Sequence, residues 1–295
     1  MKIKKEYIIL IAVAAAAVVY LALREQGKIQ YKIPVLEKIS TSSLDRLVVE
    51  KEGENLELAK EGEIWYIQPE QHRADGGKVD RMLDSLAKPD LVDLVSEAKS
   101  YTPYNLDEAA VIKATVYEKG NPVRTLYIGK PSNNYKYTYV RIPDDSRVYT
   151  LQGTIRSSFE VKREGLRDRQ ILLFSPADIK RITLTRGQRK IVIVKSGGDK
   201  AEAEWQIAEQ TGGEEAFDMQ KIAEQLQSLS LLKSSSFLDQ TPQQALLTLE
   251  LEGVTVHTLT LYEKREEGYP AGSSDSDSPF ILSEGSGKEI LDLFK

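Results

Sequence analysis

The chain repeats one pattern of residues at a nearly constant spacing, and this repeat limits the fold more than any other feature. The matched pairs at an offset of 135 include Leu47 and Ile182, Val49 and Leu184, Leu126 and Leu261, and Tyr127 and Tyr262. Trp65 matches Trp205 at an offset of 140. Solenoid repeats have periods of about 20 to 50 residues, so the longer period predicts two tandem copies of one domain, each with its own core.

Each copy combines β-favouring runs with a helical stripe. In the first copy, Gly53 and Gly62 separate three short runs that are typical of strands joined by turns. The stripe Val79, Met82, Leu83 and Leu86 follows at i, i+3, i+4 and i+7, which predicts an amphipathic helix. The second copy repeats this order, with Met219, Ile222, Ala223, Leu226 and Leu229 as the stripe and Asp218 as the N-cap. We therefore expect an α+β fold, in which one or two helices cover each mainly antiparallel sheet.

The N-terminus carries a long apolar segment. Tyr7 to Leu23 contains 17 residues without a charge and follows the basic start MKIKKE. Such a segment predicts a single transmembrane helix that acts as an uncleaved signal anchor in the lipid bilayer, with a cleaved signal peptide as the alternative. The expected domains are then the anchor at 1–26, a first repeat at 27–165 and a second repeat at 166–295. This arrangement predicts a single-pass protein of the bacterial inner membrane, with most of the chain outside the cytoplasm.

Composition excludes several kinds of chemistry. The chain has no cysteine, so thiol nucleophiles, disulfides and cysteine-containing zinc sites are ruled out. Forty basic residues face 45 acidic ones, for a net charge of −5, which makes nucleic acid a poor partner. No motif predicts a cofactor, and the run Asp275-Ser276-Asp277 lacks the glycine and glutamate of a calcium loop. We therefore expect neither a cofactor nor a metal ion.

The sequence offers no complete catalytic motif. His72 and His257 do not form a local metal pair, which favours a structural role for both. Ser96 and Ser230 each begin a Ser-x-x-Lys string that occurs in serine acyl-enzymes, but the companion Ser-Asp-Asn and Lys-Thr-Gly motifs are absent. The main expectation is a protein that is not an enzyme and has no catalytic residues. An extracytoplasmic serine hydrolase that uses one of these two serines is the alternative.

One copy carries a group of tyrosines that the other copy lacks. Tyr135, Tyr137 and Tyr139 alternate, which would place three rings on one face of a strand. Tyrosine combines apolar area with a hydroxyl and suits protein or glycan surfaces, although packing against a neighbouring element is the default explanation, since β-strands favour tyrosine. These three residues are the predicted interaction surface, and a glycan or small-ligand sensor is a second alternative function.

Charged residues gather where the two copies join. Arg163 and Arg167 lie close in sequence to Glu164 and Asp168. A charged, solvated connector explains this spacing, and the alternative hypothesis is that the arginines pair with carboxylates and fix the angle between the copies.

Several motifs together resemble a known family. They are the basic and then apolar start, the strands Asp45-Arg46-Leu47-Val48-Val49 and Lys180-Arg181-Ile182-Thr183-Leu184, the two tryptophans, Tyr104-Asn105-Leu106, Tyr127-Ile128-Gly129-Lys130 and Leu166-Arg167-Asp168-Arg169. The chain resembles the domain of unknown function 4340 (DUF4340) family over nearly its full length. That resemblance implies a membrane-anchored bacterial protein with a duplicated extracytoplasmic domain. It also implies an auxiliary role beside gliding-motility-type ABC transporters. We therefore expect a non-catalytic protein-interaction module in a transporter or envelope complex, with ABC transporter subunits as partners.

Overall fold

The computed structural model describes residues 12–20, 32–196, 204–212 and 222–292. Two antiparallel sheets dominate this part of the chain. Strands of the first sheet are β1 (Arg46–Lys51), β2 (Glu54–Glu61), β3 (Ile64–Gln68), β4 (His72–Arg73), β5 (Leu91–Ser96), β6 (Ile112–Glu118), β7 (Asn121–Pro131), β8 (Tyr137–Arg141) and β9 (Val148–Gln152). Strands of the second sheet are β10 (Arg181–Arg186), β11 (Arg189–Ser196), β12 (Glu204–Thr211), β13 (Ser236–Phe237), β14 (Ala245–Glu252), β15 (Val256–Tyr262), β16 (Tyr269–Ser273) and β17 (Phe280–Leu282).

The described helices are short. They are α1 (12–20), α2 (Gly76–Ala87), α3 (Arg156–Phe159), α4 (Arg163–Leu166), α5 (Ile222–Ser230) and α6 (Glu284–Asp292). The stripe predicted in the first copy lies on α2, and its four residues are buried. In the second copy Ile222, Leu226 and Leu229 are buried on α5, whereas Asp218 and Met219 lie outside the described residues.

The predicted α+β class is wrong, because strands make up most of the regular structure. The two sheets have nine and eight strands, while α3 and α4 have only four residues each. Sequence patterns did not predict β4 and β5, which lie on either side of α2 along the chain and extend the first sheet at its two edges. Both are short or irregular strands with weak alternation, so periodicity alone did not reveal them.

The predicted transmembrane helix is also wrong. In the described part of the chain, no helix combines the length and apolarity needed to cross a membrane. Of the expected anchor, residues 12–20 are described, as α1. The remaining residues of the expected anchor, 7–11 and 21–23, lie outside the described residues. The predicted location, a single-pass protein of the inner membrane, depended on that helix and is therefore wrong as well.

The two sheets have the same strand order apart from β4. The first runs β4-β3-β2-β1-β6-β7-β8-β9-β5 and the second β12-β11-β10-β14-β15-β16-β17-β13. The pairing register also repeats. Leu47 pairs with Val116 in the first sheet, and Ile182 pairs with Leu251 in the second, so each residue of the second pair lies 135 positions after its equivalent in the first. Alternating apolar residues determine this register, because a slip by one residue would expose the buried face of a strand.

The chain divides into two compact units. The first contains Met1–Leu56 and Asp80–Glu160, and the second contains Glu57–Val79 and Val161–Lys295. In the first unit, the core side chains of the central strands are fully buried, among them Ala114, Val116, Leu126, Ile128 and Val140. In the second unit, one cluster of buried side chains joins the sheet to α5 and α6. The expected domain boundaries at 26 and 165 stay a prediction.

Candidate functional site: the tyrosine face of the first unit

Two of the three predicted interaction tyrosines share one face of β8. Tyr137 and Tyr139 are half-buried, whereas Thr138 and Val140 point to the opposite side and are fully buried. Tyr135 lies in the turn before this strand, with a φ of 56°, and its side chain is 76% exposed. The structure therefore brings Tyr137 and Tyr139 together and leaves Tyr135 apart from them.

Three further tyrosines and an arginine extend this surface. The rings of Tyr104 and Tyr139 are in contact, with centroids 4.9 Å apart and a tilt of 59°. The guanidinium carbon of Arg141 lies 4.5 Å from the ring centroids of both Tyr101 and Tyr127. We call the half-buried set Tyr101, Tyr104, Tyr127, Tyr137, Tyr139 and Arg141 the tyrosine face.

Cross-strand register and one glycine assemble the tyrosine face. Tyr127 on β7 pairs with Arg141 on β8, so the two side chains project from the same side of the sheet. Tyr104 ends a 3-10 turn whose next residue, Asn105, has a φ of 55°, a conformation that Asn tolerates. The backbone of this turn lies against Gly129, where a Cβ atom would overlap the carbonyl oxygen of Tyr104. Gly129 therefore allows the turn to contact β7, which explains the glycine of the Tyr-Ile-Gly-Lys motif.

Two cationic side chains on this side of the sheet differ in their hydrogen-bond and ion-pair partners. Lys113, which pairs with Tyr127 across the strands, binds Glu50 at 2.7 Å between Nζ and Oε2. The hydrogen bond to Glu50 raises the pKa of Lys113. Arg141 differs from Lys113, because its Nε atom is buried without a hydrogen-bond partner. No hydrogen bond or ion pair of its guanidinium is found within the described residues.

The second unit contains an arginine that also stacks on an aromatic ring but, unlike Arg141, has several hydrogen-bond partners among the described residues. Arg167 is 5% exposed, and its guanidinium carbon lies 3.5 Å from the centroid of the Phe237 ring. Its Nη2 atom donates to Asp277 Oδ1 at 2.9 Å and to Ser278 Oγ at 2.8 Å. The side chain of Glu164 accepts a longer bond of 3.4 Å from Nη1. Arg167 therefore pairs with two carboxylates, and the shorter bond goes to Asp277 of a distant loop.

Asp277 gathers several donors besides Arg167. Its Oδ2 atom accepts the backbone N–H of Arg73 and lies 3.1 Å from His72 Nδ1. Burial on its own would raise the pKa of Asp277, but the Arg73 N–H, the Ser278 hydroxyl and the nearby positive charges outweigh it and lower that pKa. Asp277 therefore remains ionised and joins the segment around Arg73 to the loop that ends at Ser278.

The second histidine holds the same loop at another aspartate. His257 Nδ1 lies 2.7 Å from Asp275 Oδ2, and its Nε2 lies 2.7 Å from Thr255 Oγ1. Asp275 Oδ2 also accepts the backbone N–H of Leu173 at 2.7 Å. Sequence patterns favoured a structural role for both histidines and gave no indication that each contacts an aspartate of the run from Ser273 to Ser278. The sequence did mark this run as unusual, because it is the only one in the chain with two aspartates between serines.

Neither serine of the hydrolase alternative has a histidine as hydrogen-bond partner in the described chain. Ser96 Oγ accepts the backbone N–H of Ala98 at 3.2 Å. Ser230 is 6% exposed and donates its hydroxyl to the carbonyl oxygen of Gln227 at 2.8 Å. Within the described residues, no group of three or more histidine or acidic side chains could hold a metal ion.

Comparison with known proteins gives one match. The family model described as "Domain of unknown function (DUF4340)" matches residues 65–251, which is more than half of the chain. No curated protein and no solved structure matches the chain significantly.

Proposed function

Because the chain belongs to the DUF4340 family, we propose that it is a non-catalytic protein-interaction module that serves as an accessory component of a transporter complex. Its partners in this proposal are subunits of an ABC transporter. The role is the one implied by the resemblance of the chain to auxiliary proteins of gliding-motility-type transporters.

The tyrosine face is the observation that supports this proposal. Tyr and Arg are enriched at the centres of protein interfaces, where a few such residues supply most of the binding energy. The face presents five half-buried tyrosines and one arginine, on strands and a tight turn, and two of the rings contact the arginine. A partner that covered these rings would gain apolar area and would lose little side-chain entropy, because neighbouring residues already restrict the rings.

Site-specific crosslinking in the cell of origin tests the proposal. A photoreactive phenylalanine analogue replaces Tyr137 in the full chain, and in a matched control it replaces Val254, which is 89% exposed in the second unit. We expect light-dependent adducts with an ABC transporter subunit from position 137 and none from position 254. The absence of protein adducts at position 137, or equal adducts from both positions, contradicts the proposal. If position 137 reacts instead with a glycan, the sensor alternative is correct.

One observation favours a second candidate, a hydrolase. Thr255, His257 and Asp275 form a hydrogen-bonded series of hydroxyl, imidazole and carboxylate, which is the order found in enzymes with a hydroxyl nucleophile. Treatment with a fluorophosphonate probe, followed by peptide mass spectrometry, tests it. Labelling of Thr255 that disappears in His257→Gln supports a hydrolase with a nucleophile other than Ser96 or Ser230. An unlabelled protein eliminates this candidate.

A further inference from the structure

Arg141 stands out among the arginines that stack on aromatic rings. Arg147 lies over Tyr149 and binds Asp145 at 2.8 Å, and Arg167 lies over Phe237 and binds Asp277. Arg141 contacts two rings, but no carboxylate or carbonyl within the described residues accepts its N–H groups. Only its Nε is among the buried atoms without a partner, so the terminal nitrogens of this half-buried side chain reach solvent.

This arrangement leaves a charged donor group partly desolvated, with a buried Nε that has no hydrogen-bond partner within the described residues. Burial of a charge is unfavourable unless hydrogen bonds or an opposite charge replace the lost water. Contact with the faces of Tyr101 and Tyr127 offsets part of that cost through cation–π attraction. The same two rings restrict the orientation of the guanidinium plane, so a ligand that used it would not need to order it first.

We propose that the terminal nitrogens of Arg141 bind a carboxylate presented by an acidic peptide segment of a partner protein, while the neighbouring rings cover the apolar part of that segment. This inference rests on the proposed function, since it assigns the chemistry of the partner at the same face. The planar fork of a guanidinium matches the two oxygens of one carboxylate.

Charge around the site favours an acidic side chain over a polyanion. Nucleic acids and sulfated glycans bind through several cations that follow a repeated charge. At the tyrosine face the neighbouring cation, Lys113, already binds Glu50, and the chain as a whole has a net charge of −5. A guanidinium that contacts two rings and has no hydrogen bond or ion pair within the described residues therefore suits one carboxylate with apolar neighbours.

A pair of matched peptides tests this assignment on the full chain. Acetyl-Val-Leu-Glu-Leu-Val-amide and its Gln counterpart are titrated into protein labelled with ¹⁵N-arginine, and the Arg141 side-chain signal is identified by its loss in Arg141→Lys. We expect the Glu peptide to shift that signal and to bind about tenfold more tightly than the Gln peptide, because charge-assisted hydrogen bonds exceed neutral ones. Isothermal titration calorimetry measures the variants, which lack the Arg141 signal, and binding should fall about tenfold in Arg141→Met and less in Arg141→Lys. Arg46→Met is the control, since Arg46 stacks on Tyr117 outside the tyrosine face, and it should remain within about twofold of wild type.

Several results overturn the assignment. Equal binding of the two peptides, or unchanged binding by Arg141→Met, shows that the carboxylate is not recognised by this residue. If a heparin hexasaccharide shifts the Arg141 side-chain signal and binds more tightly than the Glu peptide, the site is assigned to a sulfated glycan. Crosslinking from position 137 shows whether such a result contradicts only the acidic-peptide assignment or the proposed interaction role as well. Adducts with a transporter subunit that persist in Arg141→Met leave the interaction role intact and remove only the acidic-peptide assignment.

Discussion

Arg141 in the first unit and Arg167 in the second unit use the same side chain in opposite ways. Both guanidinium groups lie over aromatic rings, at 4.5 Å and 3.5 Å from the centroids. Arg167 is almost fully buried and binds Asp277, Ser278 and Glu164, whereas Arg141 is half-buried and has no such partner in the described chain. Stacking alone therefore does not indicate a role. The presence or absence of an internal carboxylate separates an arginine that stabilises the fold from one that can bind a ligand.

The largest effect is expected from removal of the internal carboxylate. Asp277→Ala leaves Arg167 buried without its main partner, so we expect the free energy of unfolding of the second unit to fall by about 3 kcal/mol. Trp65 and Trp205 are both assigned to the second unit, so urea unfolding followed by tryptophan fluorescence measures the change. Glu266→Ala, at an exposed turn, is the control and should change stability by less than about 0.5 kcal/mol. If Asp277→Ala matches this control, the stabilising role of the Arg167 pair is wrong.

The second effect concerns the support of the tyrosine face. Gly129→Ala introduces a Cβ that would overlap the Tyr104 carbonyl oxygen and lie 2.9 Å from Leu106 Cγ. We expect a loss of about 2 kcal/mol in the first unit, because the backbone must shift to relieve the overlap. Hydrogen–deuterium exchange of β7 and β8 measures this loss. Gly76→Ala, where no atom lies within 4 Å of the added Cβ, should not accelerate exchange anywhere. Unchanged exchange in Gly129→Ala contradicts the close approach of the turn.

A smaller effect is expected from acid. The pKa of Asp277 is lower in the folded chain than its ordinary value of 3.8, so the ionised form stabilises the fold. That contribution is fully present above the ordinary pKa and is lost as the pH falls through the lowered value. Because Asp277 is about one-third exposed, solvent screening should limit the difference to about 1 kcal/mol.

Comparison of wild type with Asp277→Asn isolates this contribution. The variant should be less stable at pH 6, and the gap between the two proteins should narrow below about pH 4 as the wild-type carboxylate becomes protonated. Tryptophan-monitored urea unfolding at both pH values measures the gap. A gap that widens in acid has the wrong sign and rules out a lowered pKa.

The smallest effect on stability is expected at Arg141 itself. Arg141→Met removes no hydrogen bond or ion pair found in the described chain and replaces a partly desolvated charge with an apolar side chain of similar length. The free energy of unfolding should change by less than about 0.5 kcal/mol. Hydrogen exchange of β8 under native conditions checks this value. A loss above about 2 kcal/mol would assign Arg141 a structural role like that of Arg167 and remove the contrast between the two units.

Part of the candidate site was readable from the sequence. Alternation of Tyr137 and Tyr139 predicted a shared strand face, because side chains project to opposite sides every second residue. Tyr135 follows the same alternation in sequence, yet the strand begins at Tyr137, so the third ring lies in a turn. Arg141 was not identified, since Tyr101 and Tyr127 approach it from separate elements through pairing that no local pattern reveals.

The same limit explains the corrected predictions. The apolar run from Tyr7 to Leu23 predicted a membrane anchor from composition and length alone, but the described part of the chain contains no helix able to span a membrane. The α+β class followed from one clear helical stripe in each copy, while the weak alternation of β5 concealed a further strand of the sheet. Local patterns identify strong elements, whereas the edges of a sheet depend on which neighbours pair.

By itself, the sequence determined where the central strands lie and which residues face inward, because apolar alternation and turn residues act over a few neighbours along the chain. The offset of 135 between the copies reappears in the register of the paired strands for that reason. Only the tertiary structure decided which arginine acquires a carboxylate. Asp277 reaches Arg167 from 110 residues away, and no such group reaches Arg141 within the described residues. Ion pairs depend on distance in space, which residue order along the chain does not specify.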